Sequence, residues 1–386
     1  MIKIGRIWPF GKRSNDATPI ALVGGRWWVD GEIVEDVVII DQDKILSFGG
    51  NSATSAAQKV DLGGLLVTPG LVDACHPLAE DCLPALAPGP YNDRHRREEA
   101  ITQLQSSGSA GEKALLGDGL MARALSCWRD GVTVVASPDV AENKSTPLRT
   151  PKTVWIQSLL WDKNPAKAFA KAGGRPVLVS AADGTSRAAS REVDRLADGD
   201  MLAPNLLVVG GAGLTPADAK RLAAAGSWLV WRPVVDQFVL GQTAPPDVFA
   251  TPGLKILVGA GSRRDGGRGL LAALQAADRY GYLPRERLLA AVTQAGREAL
   301  QADAASVSRE TSVDARLADL AFWDATSFEE AVFDKGRDSL QMVMVGGEVV
   351  LCREHLLGKL GRPERLKPVA GQENFFSVIE NTECFT

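Results

Sequence analysis

From residue 20 to 68 the chain alternates β-branched or aromatic residues with polar ones, as in ALVGGRWWVDGEIVEDVVIIDQDKILSF. Gly25, Asp30-Gly31 and Gly49-Gly50 punctuate the run. Alternation with period two, broken by turn residues, predicts a small antiparallel β unit. From 69 to 304 the pattern changes. Apolar runs of strand length (VTVVASP, PVLVSAA, NLLVVGG, SWLVWRP, LKILVGAG) take turns with Ala/Leu/Arg-rich stretches of helical spacing. Thr215 before Pro216 is an expected helix N-cap. Strands that are apolar throughout need helices on both faces, which predicts an α/β fold with a parallel sheet. Roughly 230 residues of such units suit a (β/α)8 barrel, typically about 250 residues, although an open doubly wound sheet satisfies the same pattern. ADLAFWD (318–324) and SLQMVMVGGEVVLCR (339–353) return to strand character and can complete the sheet begun by 20–68.

This organisation gives an N-terminal arm (1–19), a composite β unit (20–68 with 305–355), an α/β domain (69–304) and a C-terminal tail (356–386). The arm carries Lys3, Arg6, Lys12 and Arg13 around Trp8 and Phe10. The tail ends in FFSVIENTECFT, whose apolar residues need a partner on the domain or on a second subunit.

Composition narrows the function. Lys+Arg 43 against Asp+Glu 47 leaves a net charge of -4, without the positive excess that a phosphate backbone demands. Nucleic acid is a poor partner. No run approaches the ~20 apolar residues of a membrane span, and the first residues lack the apolar core of a secretory signal, so the expected compartment is cytoplasmic. Five cysteines (Cys75, Cys82, Cys127, Cys352, Cys384) show no CxxC spacing and are expected as reduced thiols. The histidines number three, His76, His95 and His355, too few for a histidine-rich metal centre.

VDLGGLLVTPGLVDACHPL (60–78) resembles the segment that leads into the first barrel strand in the amidohydrolase superfamily. The likeness continues in register through LAPNLLVVGGAGLTPADAKRLAAAGSWLVWRPVVDQFVLGQTAPP (202–246), LKILVGAGS (254–262) and DARLADLAFWD (314–324). It lies nearest the branch with triazine hydrolases and adenosine- or guanine-type deaminases. The resemblance implies a (β/α)8 TIM barrel with a small β-sandwich built from both chain ends. In that branch paired histidines on the first strand, further histidines on the fifth and sixth, and an aspartate on the eighth hold a divalent metal that makes hydroxide near neutral pH. Carried over position by position, the pair falls on Cys75 and Pro77 and the fifth-strand histidine on Ser180. The sixth-strand histidine falls on Gly210, and the aspartate on Gly261. Asp183 stands where the family has its proton-shuttling glutamate.

These positions set the expectations. No metal or other cofactor is expected. A catalytically degenerate homologue, acting as a non-catalytic subunit, scaffold or regulator with a protein partner or as a homo-oligomer, is the first reading. The alternative is a metal-independent hydrolase or lyase acting on a cyclic amide, lactone or related small molecule in the barrel mouth, using Cys75, Asp183, Asp236 or arginines such as Arg263. His76 is expected to face the helical layer as a packed structural residue, since strand side chains alternate. Trp231 is expected to fill the cavity that small residues leave. The segment 77–100 is expected as a lid or a plain surface loop, and Arg263, Arg264 and Asp265 as an anion site or a solvated cluster.

Overall fold

Asp30 and Gly31 both take positive φ, 50° and 92°, the geometry that two-residue hairpin turns require. They join β1 (Ile20–Val29) to β2 (Glu32–Asp41), which continues into β3 (Lys44–Phe48), β4 (Gln58–Asp61) and β5 (Leu66–Pro69). The computed structural model describes residues 19–48, 58–82, 85–86, 88–106, 120–138, 148–157, 159, 164–302, 317–360, 366–369 and 374–377. Most of the basic arm and, in the tail, Val378, Ile379 and Phe385 lie outside the described residues.

Seven parallel strands follow: β6 (Leu71–Asp73), β7 (Val132–Val135), β8 (Val154–Ile156), β9 (Val177–Ala181), β10 (Leu206–Gly210), β11 (Trp228–Trp231) and β12 (Lys255–Val258). β8 to β12 form one ladder, and β6 pairs with β7. A parallel bridge from Val134 to Arg149 carries β7 toward β8. At the other side Ala74 N donates to Val258 O at 3.3 Å and Gly261 N to Cys75 O at 2.8 Å, so the last strand meets the first. Eight strands were expected from size; the described residues show seven.

The alternation of these strands sorts two cores. Val72, Val134, Leu178, Leu207, Val209 and Val230 share an inner cluster. Their neighbours Leu71, Val179, Val208, Leu229 and Val258 pack outward against helix residues such as Leu222, Leu274 and Leu288. Both faces are apolar, which is why the strands read as continuous runs. The expected cap at Thr215 is present: Asp218 N donates to Thr215 Oγ1 at 3.2 Å, and Thr215 N to Asp218 Oδ2 at 3.1 Å. This reciprocal pair satisfies two donors at the start of the helix Pro216–Ala224.

The chain then returns to the first sheet with β13 (Leu320–Trp323), β14 (Leu340–Val345), β15 (Glu348–Arg353), β16 (Lys367–Pro368) and β17 (Phe375–Ser377). All these strands and β1–β5 belong to one ten-stranded sheet, joined where β13 runs antiparallel to β5. The hydrogen bonding is thus one continuous ladder where two packed sheets were expected. Its core draws Trp27, Ile40, Ile45, Phe322 and Met344 together from strands of both chain halves. The tail finds its partner within the domain: β17 pairs with β15, Phe376 packs on this core, and Arg353 lies over the Phe375 ring at 4.2 Å. No helix among the described residues is long and apolar enough to cross a membrane.

Candidate functional site

The C-terminal ends of the parallel strands gather the charged residues. β6 ends at Asp73, whose Oδ1 accepts from Cys75 N at 3.2 Å and Ala260 N at 3.0 Å, tying the first strand to the loop after β12. Its Oδ2 accepts from His76 Nδ1 at 3.0 Å, and His76 Nε2 donates to Asp81 Oδ2 at 2.8 Å. His76 is buried beside Cys127 of the helix Leu120–Trp128, with Sγ 3.9 Å from Nδ1. Burial disfavours its charge, but Asp81 and the hydrogen bonds to both carboxylates outweigh that and hold the ring protonated well above its ordinary value. Cys75 is buried in the inner cluster, and burial pushes its thiol up to about 12. A thiol so raised is a poor nucleophile.

The segment 77–100 crosses these strand ends, held by backbone bonds: Leu86 N to Arg264 O at 3.0 Å, Gly89 N to Phe238 O at 2.9 Å, Tyr91 N to Val239 O at 2.9 Å and Arg94 N to Asp183 O at 3.0 Å. Its charged run NDRHRREE is the start of a helix, Arg94–Ser106, capped by Asp93 Oδ1 accepting from Arg96 N at 3.0 Å. Helix geometry places Arg94 and Arg97 on one face. Both donate to the buried Asp265, Arg94 Nη2 at 2.7 Å. Glu80 accepts from Ser262 Oγ at 2.8 Å and Arg264 Nη1 at 2.7 Å. The supposed solvated cluster at 263–265 is therefore the latch of this segment, apart from the exposed Arg263, whose backbone N donates to Asp81 Oδ1 at 3.1 Å.

Asp183 lies at the centre. Its Oδ2 accepts from Arg232 Nη2 at 2.8 Å and Ser180 Oγ at 3.0 Å, and Arg94 Nη1 stands 3.6 Å away. The preceding Ala182 holds φ at 51°, a left-handed conformation costly for a residue with a Cβ. It is fixed by Ala182 N donating to Glu192 Oε2 at 2.8 Å and Gly213 N donating to Ala182 O at 2.8 Å. Arg232 Nη2 also donates to Asp236 Oδ1 at 3.2 Å, and Asp236 Oδ2 accepts from Thr243 Oγ1 at 3.1 Å. Burial raises the Asp236 carboxyl to about 7, against the pull of Arg232.

Of the residues singled out from sequence, the structure brings Cys75, Ser180, Asp183, Gly210, Asp236 and Gly261 to these strand ends. Pro77 is half-buried and accepts Glu80 N at 3.2 Å in the short turn Leu78–Cys82. Trp231 corrects its expectation. It faces the helical layer, among Phe249, Tyr280 and Tyr282, with Nε1 donating to Thr243 Oγ1 at 2.5 Å. Trp228 and Val230 point inward, so alternation sends 231 outward and Arg232 inward.

The donor set does not fit the divalent metal that the resemblance implies. Among the described residues no three His, Cys, Asp or Glu side chains are grouped to hold a metal ion. At Gly210, with φ +116°, a Cβ would stand 2.8 Å from the Asp183 carboxyl carbon; at Gly261, with φ +65°, it would stand 2.4 Å from Val235. No side chain reaches inward from either place.

No family model matches the chain, and no curated protein sequence matches it. Solved structures do. An adenosine deaminase from Xanthomonas campestris with bound zinc superposes with TM-score 0.68 at 15% identity, over 86% of this chain and 92% of that one. An atrazine chlorohydrolase from Arthrobacter aurescens, solved with zinc and atraton, gives 0.61 at 16%, over 86% and 95%. An aminofutalosine deaminase from Helicobacter pylori gives 0.62 at 14%, over 86% and 100%. These neighbours are catalytic deaminases and hydrolases, which overturns the first reading of a non-catalytic subunit. The chain shares the fold of these deaminases and hydrolases.

Proposed function

We propose that the protein is a hydrolytic enzyme whose site lies at the C-terminal mouth of a barrel-like parallel layer, and that it opens a small cyclic amide, lactone or related molecule without a metal ion. The observation that carries this reading is Asp183, a carboxylate set on a strained turn with Ser180, Arg232 and Arg94 converging on one oxygen. In this reading Asp183 takes a proton from water as the water oxygen attacks the substrate carbonyl carbon. The guanidinium groups of Arg232 and Arg94 lower the energy of the negative charge that develops on the carbonyl oxygen. The proton then passes from Asp183 to the leaving nitrogen or oxygen as its bond to carbon breaks, which balances the step.

A panel of chromogenic small amides, lactones and cyclic ureas tests it. Turnover by the wild type that falls about 100-fold in kcat/KM in Asp183→Asn is expected, the scale of a lost general base. No turnover across the panel, or an Asp183→Asn variant as active as wild type, would refute the assignment.

Asp236 adds a pH signature. When it is protonated, the charge of Arg232 faces Asp183 alone. When it ionises, the guanidinium is shared between the two carboxylates. Activity is therefore expected to change with pH through about 7, as Asp236 ionises and the charge balance around Arg232 shifts. In Asp236→Asn the kcat/KM profile should lose that inflection; an unchanged inflection would assign it to another group.

A further inference from the structure

Two of the neighbouring structures hold zinc, whereas here a guanidinium tethered to the chain stands at the strand ends. Arg232 leaves the end of β11 pointing inward, is 3% exposed, and places Nη2 between the carboxylates of Asp183 and Asp236. Asp183 follows β9, and Asp236 lies in the helix Pro233–Leu240 that follows β11. Arg232 Nε is buried with no hydrogen-bond partner among the described residues, so one donor of the guanidinium is left over after the two carboxylates are served. The surrounding backbone is packed close. A Cβ at Gly210 would collide with Asp183 and one at Gly259 would stand 2.8 Å from the Cys75 Cβ, so the inward space belongs to Asp183, Cys75 and the guanidinium.

We propose that the Arg232 guanidinium is the resident cation of this centre, doing by covalent attachment what a bound divalent ion would do, with its Nε–H open to an oxygen of the substrate or of water. Charge supports the assignment: burial works against the guanidinium charge, and Asp183 and Asp236 together outweigh it. Geometry explains the residue type. A planar fork can serve two carboxylates and still keep a donor, whereas an ammonium is a compact point charge. This inference deepens the hydrolytic reading, but its main test uses no substrate, so either can fail alone.

The test is thermal melting and metal analysis of the full-length wild type, Arg232→Ala and Arg232→Lys. Wild type is expected to retain no stoichiometric zinc, manganese or cobalt after dialysis against those ions, and to melt at the same temperature with or without them. Arg232→Ala should melt several degrees lower and be raised by millimolar guanidinium chloride, but not by equal sodium chloride, while wild type gains nothing. Arg232→Lys should melt between the two. With a substrate identified, guanidinium should also restore turnover to Arg232→Ala and not to Asp183→Asn, a result that a purely structural arginine would not give. Stoichiometric metal in wild type, or no response of Arg232→Ala to guanidinium, overturns the proposal. Should Arg232→Ala fail to fold, the triple variant Asp183→Asn/Asp236→Asn/Arg232→Met should fold, because no buried charge is then left alone; a triple variant that also fails to fold overturns it as well.

Discussion

Replacing His76 with alanine is expected to lower the unfolding free energy by about 3–5 kcal/mol, the range for removing one partner from a buried ion pair. The imidazolium separates two buried carboxylates, Asp73 and Asp81, and without it both remain in the interior with their charges facing each other. The loss reaches beyond this pair, because Asp73 also binds Cys75 N and Ala260 N, and Asp81 binds Arg263 N. The effect has a pH signature. The folded-state pKa of His76 lies well above its ordinary 6.5. Its contribution is therefore complete below the unfolded value and disappears as pH rises through the folded one. Urea unfolding of wild type and His76→Ala should show the gap between them narrowing on the alkaline side. A gap that widens there, or a variant as stable as wild type, would show that His76 is held neutral.

Asp265→Ala is expected to cost a similar amount, about 3–5 kcal/mol, and to free the segment that crosses the strand ends. Arg97 is fully buried and gives Asp265 its charge, while Arg94 joins from the same helix face. Burial opposes ionisation of Asp265, but Arg94 and Arg97 hold it well below the usual carboxylate range. The sign is opposite to that of His76. This contribution is present above the unfolded value near 3.8 and fades as pH falls through the lower folded value. Hydrogen exchange of residues 85–103 should accelerate in the variant while that of β9–β12 is little changed. Equal protection in both proteins would mean that the backbone bonds alone hold the segment.

Much of the scaffold was legible because it rests on local pattern. Apolar runs with helical spacers announced the parallel strands, and the Thr215–Asp218 cap was written in four residues. The centre was only half legible. Asp183 and Ser180 emerged from the resemblance, and His76 from strand alternation. Asp265 was read only as part of an anion site or a solvated cluster, and Arg94 and Arg97 were not singled out, because charged residues in a loop read as solvated and what holds these three is pairing across separations of 171 and 168 residues. Arg232 was recoverable from the sequence. The alternation that turned His76 outward, applied to SWLVWRP, turns Trp231 out and Arg232 in.

The seam between β5 and β13 decides how the molecule comes into being. Leu66 meets Trp323 there, roughly 250 residues along the chain, a separation typical of slow folding topologies. On the ribosome β1–β5 emerge before the parallel layer and wait with one edge bare while that layer is translated. Trp27 and Ile40 wait as well, because Phe322 and Met344, their core companions, are among the later residues to leave the exit tunnel. The early half-sheet is therefore the part of the nascent chain most open to mispairing and to chaperone capture. The yield of folded protein then depends on how promptly the segment carrying β13 and β14 follows the parallel layer out of the ribosome.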